Sequence, residues 1–166
     1  YCISGGPSSS ADSNLESLSL IGETTNLTYI GCPGITGVEN QTAQDADLVA
    51  GNLYSVDVTW GTCGTTYYGM SAEIWIDFDG SETFDAGESI GTDSYAFGGG
   101  PLVTTYNFFV PGLALDGTHR MRVMQFEGSG ALDPCQTMTW GSVVDFSITI
   151  SGGSSCGPAT ALGVSN

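Results

Sequence analysis

Apolar and polar residues alternate along several short stretches of this chain, which is the pattern of strands with one buried face. The clearest stretch is 51–60, GNLYSVDVTW, where apolar side chains recur at every second position from Tyr54 to Trp60. The same pattern predicts strands at 15–21, 26–30, 70–78, 103–110, 118–126 and 143–150. About seven short strands separated by turn residues predict an all-β fold, a two-sheet antiparallel β-sandwich of the jelly-roll or immunoglobulin-like kind.

Three segments lack this alternation and are predicted to be irregular: the Gly/Ser-rich entry 1–14, the acidic stretch 31–50 and the Gly-rich stretch 89–101. The sandwich domain is expected to span residues 1–150. Beyond it, the composition predicts a flexible Gly/Ser linker at 151–155. Residues 156–166 are expected to form a tail strand that opens a following module or docks on a neighbouring copy. The start at Tyr1, without Met or a signal-like segment, suggests a processed or excised piece.

The composition supports a β protein and narrows its partners. Glycine accounts for 25 of the 166 residues, as expected for a fold with many tight turns. Two Lys or Arg residues stand against 18 Asp or Glu residues, so the formal net charge is -16. Such a surface repels nucleic acid and anionic lipid, which excludes both as partners. No apolar run is long enough for membrane insertion.

Five cysteines stand at positions 2, 32, 63, 135 and 156. They lack the paired C-x-x-C spacing of a zinc site, and the chain has a single histidine. We therefore expect disulfides in an oxidising, extracellular setting. The spacing leaves the connectivity open, and we favour Cys2 with Cys32 and Cys63 with Cys135. Cys156 would then bond to another copy or to a partner outside this segment.

Oxygen-bearing residues are concentrated directly after the predicted strand 70–78, in the stretch WIDFDGSETFDAGE. Counted from Asp77, positions 1, 3, 5, 7, 9 and 12 are Asp77, Asp79, Ser81, Thr83 through its carbonyl, Asp85 and Glu88. This is the ligand spacing of an EF-hand-type calcium loop. Glu82 stands where such loops need Gly, and strands replace the flanking helices, so the turn must differ. We predict a calcium site; the alternative is a solvated acidic hairpin loop.

Catalytic groups are poorly represented, so a protein without enzymatic activity is expected. His119 lies beside Arg120 on a predicted strand and is expected to be an exposed structural residue. Asp77 and Asp79 could perform acid/base work on a glycoside, but their spacing is better explained by a bound cation.

Two further groups of side chains have both a structural and a binding interpretation. Arg120 and Arg122 are expected to neutralise nearby acids such as Glu127 or Asp145, although they could instead clamp a ligand carboxylate. Five aromatic residues could form a stacking platform for sugars, although aromatic residues on strands usually belong to the core. These are Trp60, Trp75, Trp140, Tyr67 and Tyr68.

Three separated motifs carry a family resemblance. They are WIDFDGSETFDAGE at 75–88, Val110-Pro111 followed by GTHRMRV at 117–123, and GSVVDF at 141–146. In the same order they resemble the W-I-D-F-N-x-D-G-x-F…E, V-P…G-T-x-R-M-R-V and G-E-V-E-D-Y stretches of the GEVED domain, a module of large secreted bacterial proteins. The resemblance covers roughly residues 48–150, and the opening Tyr1-Cys2 is similar to the lead-in of many such modules.

This resemblance implies a β-sandwich in extracellular, often cell-surface, multi-domain proteins that also contain proteases and adhesion modules. It implies no established catalysis by the module itself. The chain departs from the naming motif because Ser142 and Val144 replace both glutamates, while Asp145 remains. Any role of those two glutamates in the family is therefore lost or moved here.

Two functions remain open at this point. The first is a calcium-stabilised structural or adhesive module of a surface adhesin or self-assembling extracellular fibre, with neighbouring copies or adjacent modules as partners. The alternative is a carbohydrate- or protein-binding module attached to a secreted enzyme. A tail strand that pairs with the next copy would favour assembly, whereas an exposed aromatic row would favour binding. In an exported chain, the N-x-T sequons at Asn26 and Asn40 are candidate glycosylation sites.

Overall fold

The computed structural model describes residues 1–155, which form ten strands in two sheets. The strands are β1 (Gly6–Ser9), β2 (Asn14–Leu20), β3 (Leu27–Ile30), β4 (Val38–Val49), β5 (Leu53–Gly61), β6 (Met70–Ile76), β7 (Ser89–Tyr95), β8 (Leu102–Phe109), β9 (Gly117–Phe126) and β10 (Thr137–Ser151). A 3₁₀ turn at Ala86–Glu88 precedes β7. The two sheets pack face to face, which confirms the all-β sandwich. Among the described residues, no helix is long and apolar enough to cross a membrane.

The larger sheet has six strands and is built around β10. Its order is β1-β10-β9-β6-β7, and β4 also pairs with β10. The sheet differs from the antiparallel expectation because β1 and β4 both pair parallel to β10. At 15 residues, β10 is long enough to pair with β1 over its first part and with β4 over its last part. The smaller sheet, β3-β2-β5-β8, is antiparallel throughout.

The main core fills the space between the sheets with alternate residues of each strand. In β5, every second side chain from Tyr54 to Trp60 is buried, while Ser55 and Asp57 between them face solvent. Each large apolar side chain that is fully buried contributes about 1.5–3 kcal/mol. The indole of Trp60 donates a hydrogen bond to the Tyr106 hydroxyl at 3.1 Å, so its polar group is satisfied inside this core.

A smaller core lies on the outer face of the larger sheet, the face turned away from the second sheet. Because side chains alternate along β6, Trp75 points to this face while its neighbours Ile74 and Ile76 belong to the main core. The buried members are Trp75, Met124, Met138 and Val143, with Val38, Phe84, Phe126 and Leu132 packed against them. Segments that lie far apart in sequence therefore cover the outer face, and the loop that contains Phe84 is one of these segments.

A buried ion pair occupies the same outer face, where Arg122 on β9 is directly opposite Asp145 on β10. Nε and Nη2 of Arg122 donate to the two oxygens of Asp145 at 2.7 and 2.8 Å. The remaining donors reach Pro134 O at 2.7 Å, Cys2 O at 2.9 Å and Cys2 Sγ at 3.0 Å, so all five N–H groups have partners. Arg120 adds a bond of 2.9 Å to Asp145. This confirms that both arginines neutralise an acid.

All three segments predicted to be irregular contain strands instead, and β1 lies within the entry 1–14. β4 lies within the acidic stretch 31–50, and β7 lies within the Gly-rich stretch 89–101. In β4 only Ala46 and Leu48 are buried, and β7 is an edge strand without a buried residue. Neither strand therefore shows period-two alternation, and both are held in place mainly by backbone pairing to their neighbours.

The predicted flexible linker at 151–155 is hydrogen-bonded to the sandwich through Ser154. The backbone N–H of Ser154 donates to Ala114 O at 2.8 Å, and its carbonyl accepts from the N–H of Asp116 at 2.9 Å. These backbone bonds outweigh the Gly/Ser composition on which the linker prediction was based. The predicted tail strand at 156–166 lies outside the described residues.

Two disulfides join Cys2 to Cys135 and Cys32 to Cys63, so the predicted pairing of Cys2 with Cys32 and Cys63 with Cys135 is wrong. β3 and β5 both pair with β2, which brings Cys32 and Cys63 together at the ends of these strands. In the chain-entropy account, closing loops of these lengths stabilises the fold by about 5 and about 4 kcal/mol respectively. Two disulfides indicate an oxidising compartment rather than the cytoplasm. Cys156 lies outside the described residues.

Replacing Arg122 with Met should lower the free energy of unfolding by about 3–5 kcal/mol, because Asp145 would remain buried without its main partner. The matched control is Arg120→Met. Its side chain is 27% exposed, against 0% for Arg122, so we expect a loss below about 1 kcal/mol. Urea unfolding would measure both. Adding Asp145→Leu to Arg122→Met should recover much of the loss; equal losses for the two arginine variants would contradict the assignment.

Candidate metal centre

The loop between β6 and β7, residues 77–88, brings three acidic side chains together. Asp77 directly follows β6, and Glu88 ends the 3₁₀ turn before β7. One carboxylate oxygen from each of Asp77, Asp79 and Glu88 lies within 4.8 Å of the others. Asp77 and Glu88 are buried, with 0% and 6% exposure. The fold therefore places two buried carboxylates beside a third that is exposed to solvent.

Asp77 is held by four hydrogen bonds. Its Oδ1 accepts from the N–H groups of Gly80 at 2.7 Å and Ser81 at 3.2 Å. Its Oδ2 accepts from the N–H of Glu82 at 3.1 Å and from the hydroxyl of Tyr1. Burial alone would raise the pKa of Asp77, but the bonds from Tyr1, Glu82 and Gly80 outweigh it and hold the pKa below its ordinary value. Asp77 is therefore a carboxylate in a fixed orientation.

Glu88 is held from both sides by the loop backbone. Its Oε1 accepts from the N–H of Phe78 at 2.9 Å, and its Oε2 accepts from the N–H of Asp85 at 2.8 Å. Burial nevertheless raises the pKa of Glu88, and the charges of Asp77 and Asp79 raise it further against these two amide donors. The ionised form of Glu88 is therefore destabilised at this position.

The three carboxylates fit a calcium ion in chemistry and in size. Calcium takes about six to eight oxygen ligands at roughly 2.3–2.6 Å, so two of its ligands can lie up to about 5 Å apart. The separation of up to 4.8 Å between the three oxygens is within that limit. Both arginines of the chain are bonded to Asp145, so neither supplies the positive charge that this loop lacks. Asp77, Asp79 and Glu88 would hold the ion and supply its hard anionic ligands.

The other predicted ligands are Ser81, Thr83 and Asp85; the carboxylate of Asp85 lies outside the group of three, and the roles of Ser81 and of the Thr83 carbonyl stay predictions. The hydroxyls of Ser81 and Thr83 lie 2.9 Å apart and bond to each other. Asp85 contributes its backbone N–H to Glu88, while its carboxylate lies outside the group of three. Glu82, where an EF-hand needs Gly, has a left-handed φ of 61°, so a residue other than Gly makes the sharp turn here.

Two residues from outside the loop, Tyr1 and Arg120, lie against it in contacts that the sequence did not predict. The rings of Tyr1 and Phe84 have centroids 5.2 Å apart, and the guanidinium carbon of Arg120 lies 4.6 Å from the centroid of the Tyr1 ring. Burial and the neighbouring Asp77 raise the pKa of Tyr1, so its hydroxyl keeps the proton that it donates. No local pattern signals a contact between residues that are 76 positions apart.

The sequence model of the GEVED domain matches residues 71–149. This part of the chain is a GEVED domain. It comprises the candidate metal loop and nearly all of β6–β10, whereas β1–β5 precede it. Among curated proteins, none matches the chain.

The naming motif of the GEVED domain lies in β10. Its retained acid, Asp145, is the buried partner of Arg122 in the neighbouring strand. Ser142, in place of the first glutamate, accepts a hydrogen bond from the N–H of Leu15 at 2.9 Å. Val144, in place of the second, is buried in the main core. In this GEVED domain the motif therefore joins β10 to β9 and to the second sheet.

Two of the five aromatic residues proposed for a sugar platform belong to the two cores. Trp60 and Trp75 are 0% and 3% exposed, so neither can stack on a ligand. Trp140 is 42% exposed, and Tyr67 and Tyr68 are half-buried. The five residues therefore do not share one exposed face, and the platform as predicted is absent from the GEVED domain and the strands before it.

The prediction that His119 is exposed is wrong. The side chain is buried, with 6% of the residue exposed, and its Nε2 lies 2.6 Å from the carbonyl oxygen of Leu115. The turn before β9 folds over it. Both candidate glycosylation sites, Asn26 and Asn40, are exposed, and their modification stays a prediction.

Acidification should stabilise the metal-free protein and weaken the effect of calcium. Because the folded pKa of Glu88 is raised, its destabilisation is fully present at neutral pH and disappears as the pH falls through the raised pKa toward 4.5. Asp77 acts in the opposite sense at lower pH, since its folded pKa is depressed. Thermal unfolding at a series of pH values, in chelator and in calcium, would measure both trends. Glu88→Gln should flatten the rise in chelator; an unchanged rise in that variant would contradict the assignment.

Proposed function

We propose that this protein is a non-catalytic extracellular module whose β-sandwich is stabilised by calcium bound in the loop 77–88. The convergence of Asp77, Asp79 and Glu88 at the end of β6 is the observation that carries the proposal. Two of these carboxylates are buried, and the arginines of the chain are engaged elsewhere. A divalent cation would neutralise the charge that no side chain of the protein neutralises.

The stabilising mechanism is local. Without the ion, Asp77, Asp79 and Glu88 repel one another across the short distance that separates them. With the ion, the same side chains link the beginning of the loop to its end. Because the loop joins β6 to β7, calcium would hold these neighbouring strands in register. Binding to the folded state alone adds roughly 3–4 kcal/mol at calcium concentrations 100 to 1,000 times the dissociation constant.

The module is proposed to act in a surface adhesin or a self-assembling extracellular fibre. The two disulfides suit an exported protein, and the first residues after β10 are fastened to the turn before β9. Because these residues are hydrogen-bonded to the sandwich, the chain leaves the domain in a defined direction. This suits a series of modules that carries mechanical load. Cys156 follows directly and would bond to a neighbouring copy or module.

A lack of catalysis is part of the same proposal. The only histidine, His119, is buried and bonded to a backbone carbonyl, which leaves it poorly placed as a general base. The carboxylates Asp77 and Glu88 have their oxygens occupied by loop amides and by Tyr1. These bonds suit fixed ligands better than groups that exchange protons with a substrate.

A carbohydrate-binding module remains the alternative, favoured by one observation. Tyr68 and Phe97 form an edge-to-face pair with centroids 6.0 Å apart at one end of the sandwich, and Phe97 is 74% exposed. A cleft of about 540 Å³, lined in part by Gly69 and Ala96, lies next to this pair. An exposed aromatic pair beside a cleft is a surface on which a neutral sugar ring could stack.

Calcium should raise the melting temperature of the purified protein, and chelator should reverse the rise. Asp77→Ala and Glu88→Gln should abolish the response, because each removes a ligand from the group of three. Glu82→Gln is the matched control, since it removes one exposed charge from the same loop without removing a ligand. Differential scanning calorimetry would measure the response. A melting temperature of the unaltered protein that ignores both calcium and chelator would overturn the calcium proposal.

Assembly can be tested on native material by negative-stain electron microscopy, with and without chelator. Regular fibres or strings of beads that loosen in chelator are expected. On a non-reducing gel, Cys156→Ser should remove covalent dimers that the unaltered chain forms. Discrete monomers under both conditions would contradict the assembly role, and a glycan screen with Phe97→Ala as the control variant would then test the alternative.

A further inference from the structure

Residues Tyr1 and Cys2 form a short strap across the outer face of the larger sheet, next to the candidate metal loop. The hydroxyl of Tyr1 donates to Oδ2 of Asp77, the first residue of the loop. The Tyr1 ring lies between Phe84, which belongs to the same loop, and the guanidinium of Arg120 on β9. The strap therefore touches the loop at two points, one polar and one aromatic.

Cys2 anchors this strap. Its sulfur is bonded to Cys135 in the segment before β10. Its carbonyl accepts a hydrogen bond from Nη2 of Arg122 at 2.9 Å, and Arg122 is itself fixed by Asp145. The position of Tyr1 over the loop thus depends on a covalent bond to a residue 133 positions away.

We propose that the strap is a positioning element for calcium, so that the Cys2–Cys135 disulfide sets the calcium affinity of the loop. The inference rests on the calcium site proposed above. A hydroxyl bonded to a ligand oxygen fixes the orientation of that ligand, and removal of such outer partners typically weakens metal binding by about 10- to 100-fold. Without the strap, Asp77 would lose one of the two donors to Oδ2 and Phe84 would lose its aromatic contact.

The chain supplies its own control in the second disulfide. Cys32–Cys63 lies near the end of β5, where Gly61 O accepts a hydrogen bond from Gln125 toward the end of β9. The metal loop lies toward the start of β9, where the N–H of Asp77 donates to Arg120 O. Loss of Cys32–Cys63 removes a covalent bond of the same kind from a different part of the sandwich, so it separates general destabilisation from an effect on the loop.

Isothermal titration with calcium chloride would test the inference on four proteins: the unaltered chain, Tyr1→Phe, Cys2→Ser with Cys135→Ser, and Cys32→Ser with Cys63→Ser. We expect the dissociation constant to rise about 10-fold or more for Tyr1→Phe and for the Cys2/Cys135 variant, and to stay unchanged for the Cys32/Cys63 variant. Tyr1→Phe keeps the ring, so its melting temperature in chelator should fall less than that of the Cys32/Cys63 variant, whose calcium binding is expected to be unchanged. A purely structural strap would not combine that result with weaker calcium binding.

The outcomes separate the two proposals. If the unaltered protein binds calcium and both Tyr1→Phe and the Cys2/Cys135 variant bind it equally well, the positioning role is overturned while the calcium site stands. If the unaltered protein binds no calcium, the calcium site is overturned and the positioning role with it. Should the Cys2/Cys135 variant fail to fold, Tyr1→Phe alone decides, since it leaves both disulfides in place.

Discussion

The buried pair of Arg122 and Asp145 is the interaction on which the outer face of the larger sheet depends. Burying two charges is costly, and the attraction between them offsets that cost only when the remaining donors and acceptors also find partners. Here every N–H of Arg122 is used, and three of its bonds hold Cys2 and Pro134. One side chain thus fixes β9 against β10 and also fixes the two segments that the Cys2–Cys135 disulfide joins. The disulfide and the ion pair support each other.

The same face carries two groups of buried acidic side chains, and the two groups have different hydrogen-bonding partners. Asp145 is neutralised by two arginines, whereas Asp77 and Glu88 have only backbone amides and Tyr1 around them. This contrast would mean little in a chain with many basic residues. Here the two arginines are the only Lys or Arg residues in the sequence, and both are bonded to Asp145, so neither remains for the loop. This loop is therefore where we propose that an ion from the surroundings supplies the missing positive charge.

The sequence predicts those parts of the fold in which local pattern and burial coincide. β5 alternates strictly because one face lies in the core, and it was predictable; β4 and β7 are held by pairing more than by burial, so their sequences show no such signal. Parallel pairing along β10 and the disulfide connectivity depend on which segments meet in space, and spacing along the chain does not encode that. In the loop, the predicted spacing brings the carboxylates of Asp77, Asp79 and Glu88 together, whereas that of Asp85 lies outside the group.

The placement of both arginines in β9 also determines how susceptible the folded protein is to cleavage by proteases. An enzyme that cuts after Lys or Arg has two cleavage points in this sequence, Arg120 and Arg122. Both lie in a strand that is paired to β10 on one side, and Arg122 is also paired to β6 on the other. Cleavage requires the chain to leave its sheet and enter the active site of the protease in an extended form, so digestion at these bonds must wait for the sandwich to open. Trypsin-like enzymes outside the cell would therefore leave the folded domain intact, and the rate at which they degrade it would report on its opening.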